Sequence, residues 1–250
     1  MRLTLVVALC ASSSTFAQTA TDIAASARER GGLNLLNLQA QVRLVTSPKD
    51  GAPKEQVVTS ASRKVEGRSR SIVRFVTPAS VAGVAVLTIE GPGTEPGEAS
   101  IYLPKLKRVR KVAQAERGQA FMGTDFNYAD LGGMGGSDQR MKRLADGEVD
   151  GRATYVIQGP ADPSSPYGEV TLYVDKETYV PLRVDYQDRE GKAYKRYHAL
   201  ALKKFKDRTV AARATMENLQ TGSATTLEVQ KLEDSSLGDE AFSERALERG

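Results

Sequence analysis

A mostly β fold, built as an antiparallel sheet or barrel, is the architecture this 250-residue chain predicts. From Leu38 onward apolar and polar residues alternate with period two, the mark of strands with one face inward. Turn signals break that alternation roughly every 8–12 residues, the rhythm of short antiparallel strands rather than of βαβ units. The only cysteine is Cys10, inside an apolar leader, so the core must be held by burial alone. A mature chain of about 230 residues is long enough for that as one domain.

In order along the chain, Met1-Arg2 is a short positive start, Leu3 to Ala11 is apolar, and Ser12 to Ala17 is small and polar. That is the layout of a secretory signal peptide cut near Ala17. The expected organisation is a signal peptide over 1–17 and a single domain over 18–250. Lipidation at Cys10 is the weaker alternative, because Leu9 stands where a small residue is needed. Removing Arg2 with the leader takes the formal charge from +4 to +3, mild but unevenly placed. Thr21 to Arg30 reads as a short helix, capped by Thr21 or Asp22 and stopped by Gly31-Gly32. Strands follow at Leu38–Thr46, Gln56–Glu66, Arg70–Thr77, Val81–Glu90, Ser100–Leu103 and Lys107–Val112. Ser47 to Gly51, Gly67 and the Gly91–Gly97 loop separate them. In the second half, Met141–Leu144, Ala153–Gln158 and Glu169–Asp175 read as strands. Tyr179–Asp188 with Lys192–Leu200, and Thr209–Asn218 with Ser223–Lys231, read as two hairpins. Val81 to Ile89 is apolar or small at nearly every position, so both of its faces must be covered. A helix on one side with a second sheet on the other would do this. So would a helix inside a curved sheet, which leaves room for an apolar ligand.

Catalytic chemistry is hard to assemble from this composition. His198 is the only histidine, and it lies in an alternating run. The chain has no CxxC, HExxH or GxSxG motif, and it lacks the ligands of the usual zinc sites. Asp146, Glu148 and Asp150 sit among glycines as a solvated turn, without the spacing of a calcium loop. The glycine-rich run Leu131 to Ser137 has no following Gly-Lys-Ser/Thr, so it is a connection or a flap and not a phosphate loop. No enzyme activity, cofactor or metal is expected.

One stretch combines two unusual features. Lys105, Lys107, Arg108, Arg110, Lys111 and Arg117 face only Glu116, and Phe121, Met122, Phe126, Tyr128 and Leu131 follow at once. The basic run is either a solvated edge strand, charged against sheet-to-sheet pairing, or a surface for anionic headgroups or an acidic protein. Nucleic acid is not the expected partner of an exported chain. Asp125 or Thr124 is placed to cap a helical turn that turns Phe126 or Tyr128 inward with Leu131. The segment then plugs one end of the core, or it walls or gates an apolar pocket, where methionine suits variable shapes.

The blocks "RFVTPASVAGVAVLTIE", "IYLPKLKRVRKV", "FMGTDFNYADL", "YVDKETYVPLRVDYQDREGK", "MENLQTGSATTLEV" and "FSERALERG" resemble, in order, those of LolA-like outer-membrane lipoprotein-sorting proteins. The likeness is to the exported branch with the Tyr-Leu-Pro…Phe-Met-Gly-Thr-Asp-Phe signature, and it spans roughly Arg70 to the C-terminus. It implies a strongly curved antiparallel sheet forming an incomplete (half) β-barrel, with helices covering the concave face. It further implies a periplasmic carrier that shelters acyl chains of a lipoprotein or phospholipid and moves them toward the outer membrane. The implied ligand-facing residues are Phe75, Val84, Val86, Phe121, Met122, Phe126, Tyr128, Leu131 and Met134. The implied basic rim is Arg74, Lys105, Lys107, Arg108, Arg110 and Lys111, with Arg74 nearest in place to the lid-holding arginine of LolA. An inner-membrane exporter and an outer-membrane acceptor are the implied protein partners, and a monomer the implied state. The lid is the glycine run Gly132 to Gly136 or the N-terminal helix. A non-catalytic adaptor or sensor of the same fold, binding an exporter or signalling protein through the basic strand, is the alternative.

Overall fold

The computed structural model of the chain describes residues 18–28, 30, 35–91, 95–132, 140–163 and 165–249. The expected signal peptide, including Cys10, lies outside them. The N-terminal helix α1 runs Ala20–Arg28. Its cap is Thr19 rather than Thr21 or Asp22: the Asp22 amide donates to Thr19 Oγ1 at 3.2 Å, and Thr19 Oγ1 donates to the Asp22 carboxylate at 2.6 Å. This is a reciprocal capping box with an aspartate as its acid.

The strands are β1 Leu38–Ser47, β2 Lys54–Val65, β3 Arg68–Thr77, β4 Ala85–Ile89, β5 Glu98–Leu103, β6 Arg108–Lys111 and β7 Lys142–Arg143. The series continues with β8 Gly147–Val149, β9 Arg152–Pro160, β10 Tyr167–Asp175, β11 Pro181–Asp188, β12 Ala193–Phe205, β13 Arg208–Asn218 and β14 Ser223–Asp234. Among the described residues they make one 14-stranded curved sheet in the order β6-β5-β4-β3-β2-β1-β14-β13-β12-β11-β10-β9-β7, with β8 beside β9. Every ladder is antiparallel, and the two edges do not meet. This is the half-barrel that the resemblance implies.

Period-two alternation sets the faces. In β1 the residues Leu38, Ala40, Val42 and Leu44 are buried and those between are half-exposed. Ala40, Val42 and Leu44 join one apolar cluster that also holds Val73, Phe75, Val86, Ile157, Leu172 and Val184, drawn from both wings of the sheet, while Leu38 packs with Leu35 and Val210. The face shared by both wings is the concave one. Helix α1 contributes Ile23, Ala24 and Ala27 to the same cluster. Its Arg28 pairs with Glu90 after β4 at 2.5 Å, while Gln18 accepts from Arg143 of β7. The helix is therefore tied to both wings.

The structure corrects several sequence expectations. The strand expected over Val81–Glu90 begins only at Ala85, because Gly83 takes φ +81° in a turn that folds back onto β3. The Asp146–Asp150 stretch is not merely a solvated turn. It contains β8, joined to β9 by Asp150-Gly151, both with positive φ, the two-residue hairpin connection that matches strand twist. The strand expected from Tyr179 starts at Pro181, since Tyr179 has φ +58°.

For Val81 to Ile89 the inner cover is one of those expected, helix α1 within the curved sheet, and only the outer cover differs from both readings. Among the described residues no second sheet stands outside β4. Its outer residues Ala85 and Leu87 are buried by Phe242 and Leu247 of the C-terminal segment, with Ile72 and Ala241 packed against them. That segment ends in helix α2, Glu244–Arg249. It is bound largely through its main chain. Arg63 donates to the Leu237 carbonyl at 2.9 Å, Arg70 to that of Phe242 at 3.2 Å, and Arg74 to that of Leu247 at 3.0 Å. Arg63 also meets Asp239 at 2.6 Å, and Ser100 donates to Glu244 at 2.6 Å.

Candidate functional site

The concave face carries the candidate site, and the Phe121–Leu131 segment lies on it. The Phe121 amide donates to the Phe126 carbonyl at 2.7 Å, closing a tight loop through Met122 and Gly123, both with positive φ. Phe121, Phe126, Tyr128 and Leu131 join the concave cluster together with Phe75, Val84 and Val86. The rings of Phe75 and Phe121 are 5.1 Å apart, and Tyr128 meets Phe121 edge-on at 5.5 Å. Such geometry stabilises aromatic pairs beyond simple burial. Met122 packs against the cluster while half-exposed. Met134, with most of the glycine run proposed as a lid, lies outside the described residues. The segment thus lies on the concave face as a plug, and the described apolar residues named from the sequence stand together.

The helical turn after Phe126 is a 3-10 turn, Tyr128–Gly132. It is capped by Asn127, not by Thr124 or Asp125. The Asp130 amide donates to Asn127 Oδ1 at 3.1 Å, and the Asn127 amide donates to Asp130 Oδ2 at 2.8 Å.

Sequence reasoning missed the polar pins that hold the plug. Asp125 accepts from Ser223 at 2.5 Å and from Thr225 at 2.8 Å, and its own amide donates to Thr225 Oγ1 at 2.8 Å. The buried Lys195 ammonium donates to the Asp125 carbonyl at 2.5 Å. Tyr167 donates its hydroxyl to Asp130, 3.0 and 3.1 Å from the two carboxylate oxygens, and accepts from Asn127 Nδ2 at 2.8 Å. On the other wing, Ser71 Oγ donates to the Leu131 carbonyl at 3.1 Å, and Gln56 donates to that of Met122 at 3.2 Å. The plug is fastened to β10, β12 and β14 through polar groups and to β3 mainly through aromatic packing.

Asp130 is buried, and burial pushes its carboxyl above the usual range; the Lys195 charge, the Asn127 amide and the Tyr167 hydroxyl pull it back. Burial also holds the Tyr167 and Tyr186 phenols well above their ordinary value. A carboxyl whose folded pKa is raised contributes stability that is complete below its unfolded value and is lost as pH rises through the folded one. The stability difference between wild type and Asp130→Asn, followed by urea unfolding from pH 4 to 7, should therefore move against the wild type as pH rises. A flat difference would show Asp130 to be an ordinary solvated carboxylate, and one that favours the wild type at higher pH would show its carboxylate to be stabilised by folding.

The basic residues do not form one rim. Lys105, Lys107 and Arg108 are exposed at the turn into the edge strand β6 and make no ion pair among the described residues. Arg110 points to the concave side, opposite Ile101 in register, and pairs with Glu116 at 2.6 Å. Lys111 pairs with Glu98 at 2.7 Å. Arg117 is buried and donates to the Gly97 carbonyl at 2.8 Å. Arg74 stands apart on the convex face, where it holds α2 and not α1. His198 meets Asp150 at 2.6 Å on a surface hairpin. Among the described residues no three His, Cys, Asp or Glu side chains gather as metal ligands, and no helix is long and apolar enough to cross a membrane.

A family model described as an uncharacterized protein matches residues 67–249. None of the curated proteins matches the chain. A Vibrio parahaemolyticus domain assigned by name to outer membrane lipoprotein sorting superposes with a TM-score of 0.81 at 26% identity, over 92% of this chain and 98% of that one. A DUF1329 family protein from Desulfovibrio piger gives 0.81 at 21% identity, over 91% and 97%. A LolA superfamily protein from Nitrosomonas europaea gives 0.71 at 21%, over 91% and 98%.

Proposed function

The chain belongs to the family whose model matches residues 67–249, and on that premise, with its LolA-like lipoprotein-sorting fold, we propose that it is a non-catalytic periplasmic carrier. The leader over 1–17 would be removed on export, leaving a single domain over 18–250. The cargo is the acyl part of a lipoprotein or phospholipid, moved toward the outer membrane. The likeness to the Vibrio sorting domain supports this reading. The observation that carries it is the concave apolar face, which is covered by two short separate elements, α1 and the plug, rather than by a second sheet. Displacing the plug would uncover Phe75, Val84 and Val86 for acyl chains, and each buried methylene contributes about 0.8 kcal/mol. The polar pins give the plug one defined closed position, and the aromatic side is the one free to exchange with a chain. Phe121, Met122, Phe126, Tyr128 and Leu131 are proposed as the gate, with Arg108 and Arg110 beside it for an anionic headgroup.

Protein purified from the periplasm without detergent should carry extractable lipid or acylated peptide, seen by native mass spectrometry. Phe126→Asp should lose it. An empty wild-type protein that also refuses added acyl chains would remove this reading. The exposed Lys105, Lys107 and Arg108 would then favour an adaptor that binds an acidic partner along the β6 edge, with salt-sensitive affinity.

A further inference from the structure

The outer face offers a second, chemically different site. Between the C-terminal segment and β1–β3 lies a groove of about 540 Å³. Ala61, Ile72 and Arg74 belong to its floor, and Leu237, Ala241 and Ala246 to its wall. Arg245, Arg249 and Glu240 complete the lining. Three guanidinium groups therefore face one carboxylate.

Arg74 is the singular group. Two other arginines under the C-terminal segment, which forms a strap over the convex face, have carboxylate partners, Asp239 for Arg63 at 2.6 Å and Glu66 for Arg70 at 3.0 Å. Arg74 reaches only the carbonyls of Gly83 at 3.3 Å and Leu247 at 3.0 Å, and forms no ion pair among the described residues. It is half-buried, and burial lowers its pKa. A desolvated guanidinium without an anion is a costly arrangement that a bound carboxylate or phosphate relieves. Arg245 and Arg249 are exposed and likewise make no ion pair among the described residues. The planar fork of arginine matches either oxyanion, and the volume is that of a small-ligand site.

We infer that this convex groove binds a single-chain anionic amphiphile, with its carboxylate or phosphate head on Arg74, Arg245 and Arg249 and its tail along Ala61, Ile72 and Leu237. The inference is independent of cargo binding on the concave face. A purely ionic ligand would leave the apolar floor and wall unused, and a neutral one would leave Arg74 unanswered.

The test titrates the mature chain, below micelle-forming concentrations, with dodecanoate, dodecyl phosphate, dodecyl maltoside and inorganic phosphate by calorimetry. One equivalent of either anionic amphiphile should bind at a site that the arginines control, separate from any chain held on the concave face, and the maltoside should bind that site at least about tenfold more weakly. Binding by only one of the two anions still supports the site and identifies the head as carboxylate or phosphate. The exposed double change Arg245→Gln with Arg249→Gln should weaken binding about tenfold at an unchanged melting temperature, while Met122→Asp on the concave side leaves it alone. Equal affinity for the maltoside, binding of inorganic phosphate as strong as that of dodecyl phosphate, no binding at all, or sensitivity to Met122→Asp in place of the arginine pair would each overturn the proposal. Loss of cargo from the concave face without change here would fault only the carrier reading.

Discussion

Deleting residues 237–250 should lower stability by at least about 5 kcal/mol. The deletion removes Phe242 and Leu247, both fully buried, each worth about 1.5–3 kcal/mol. It also strips the carbonyl acceptors from Arg63, Arg70 and Arg74, and hydrogen bonds of charged groups contribute about 1.5–3 kcal/mol apiece. Ordering the strap offsets part of this sum. Against a total of about 5–15 kcal/mol the loss is severe. A melting temperature lower by roughly 10–20 °C is expected. Soluble yield should fall as well, because Ala85, Leu87 and Ile72 become an exposed apolar patch beside the free β6 edge. A truncated protein that melts within a few degrees of the full chain would mean that the strap only rests on the sheet.

Phe121→Ala is the largest single-residue effect expected on the concave side, about 3–5 kcal/mol. The ring is fully buried between Phe75 and Tyr128, and the alanine leaves a void lined by both. The polar pins through Asp125 and Asp130 hold the backbone of the plug in place, which restricts collapse into that void. Urea unfolding should show a lower midpoint with an unchanged slope. A cost below about 1 kcal/mol would indicate that the plug is loosely seated and that Phe121 has neighbours able to close in.

Most of the strand framework was legible because a half-buried antiparallel strand writes its faces directly into the residue order. Leu38, Ala40, Val42 and Leu44 alternate in the sequence and alternate in burial. Strand ends were less legible. Where Gly83 and Tyr179 take positive φ, the local residues look strand-like and only the turn geometry shows the true start. The apolar character of Val81 to Ile89 correctly demanded two covers. It did not say what the outer cover was, since a six-residue helix with Leu247 as its buried residue has almost no pattern of its own. The family resemblance included that terminal block without assigning it a place.

The apolar part of the site was visible as the densest aromatic stretch in the chain, and Phe75 and Phe121 do meet. The polar pins were not visible. Asp125 and Thr225 are 100 positions apart, and Asp130 and Tyr167 are 37 apart. Their partnership exists only once β10 and β14 are laid in the sheet. The one hint was two aspartates within an aromatic segment, an expensive placement unless each is satisfied. Arg74 shows the same limit from the other side. Placed with the basic rim through the family resemblance, it is separated from it by the alternation of β3, which turns it to the convex face beneath α2.

The account's central claim is that acyl chains enter the concave face in place of the plug. It is tested most directly with a triacylated lipopeptide bearing a diazirine on one chain, incubated with the mature protein, irradiated, and mapped by peptide mass spectrometry. With its C-terminus amidated and no acidic side chains, the lipopeptide gives Arg74 no anion to hold, so labelling reports the concave site. Adducts on Phe75, Val84, Val86 or the Phe121–Leu131 segment are predicted, and they should be competed by unlabelled lipopeptide. Adducts confined to Ile72, Leu237 and Ala241 on the outer face, or no specific adduct at all, would contradict it.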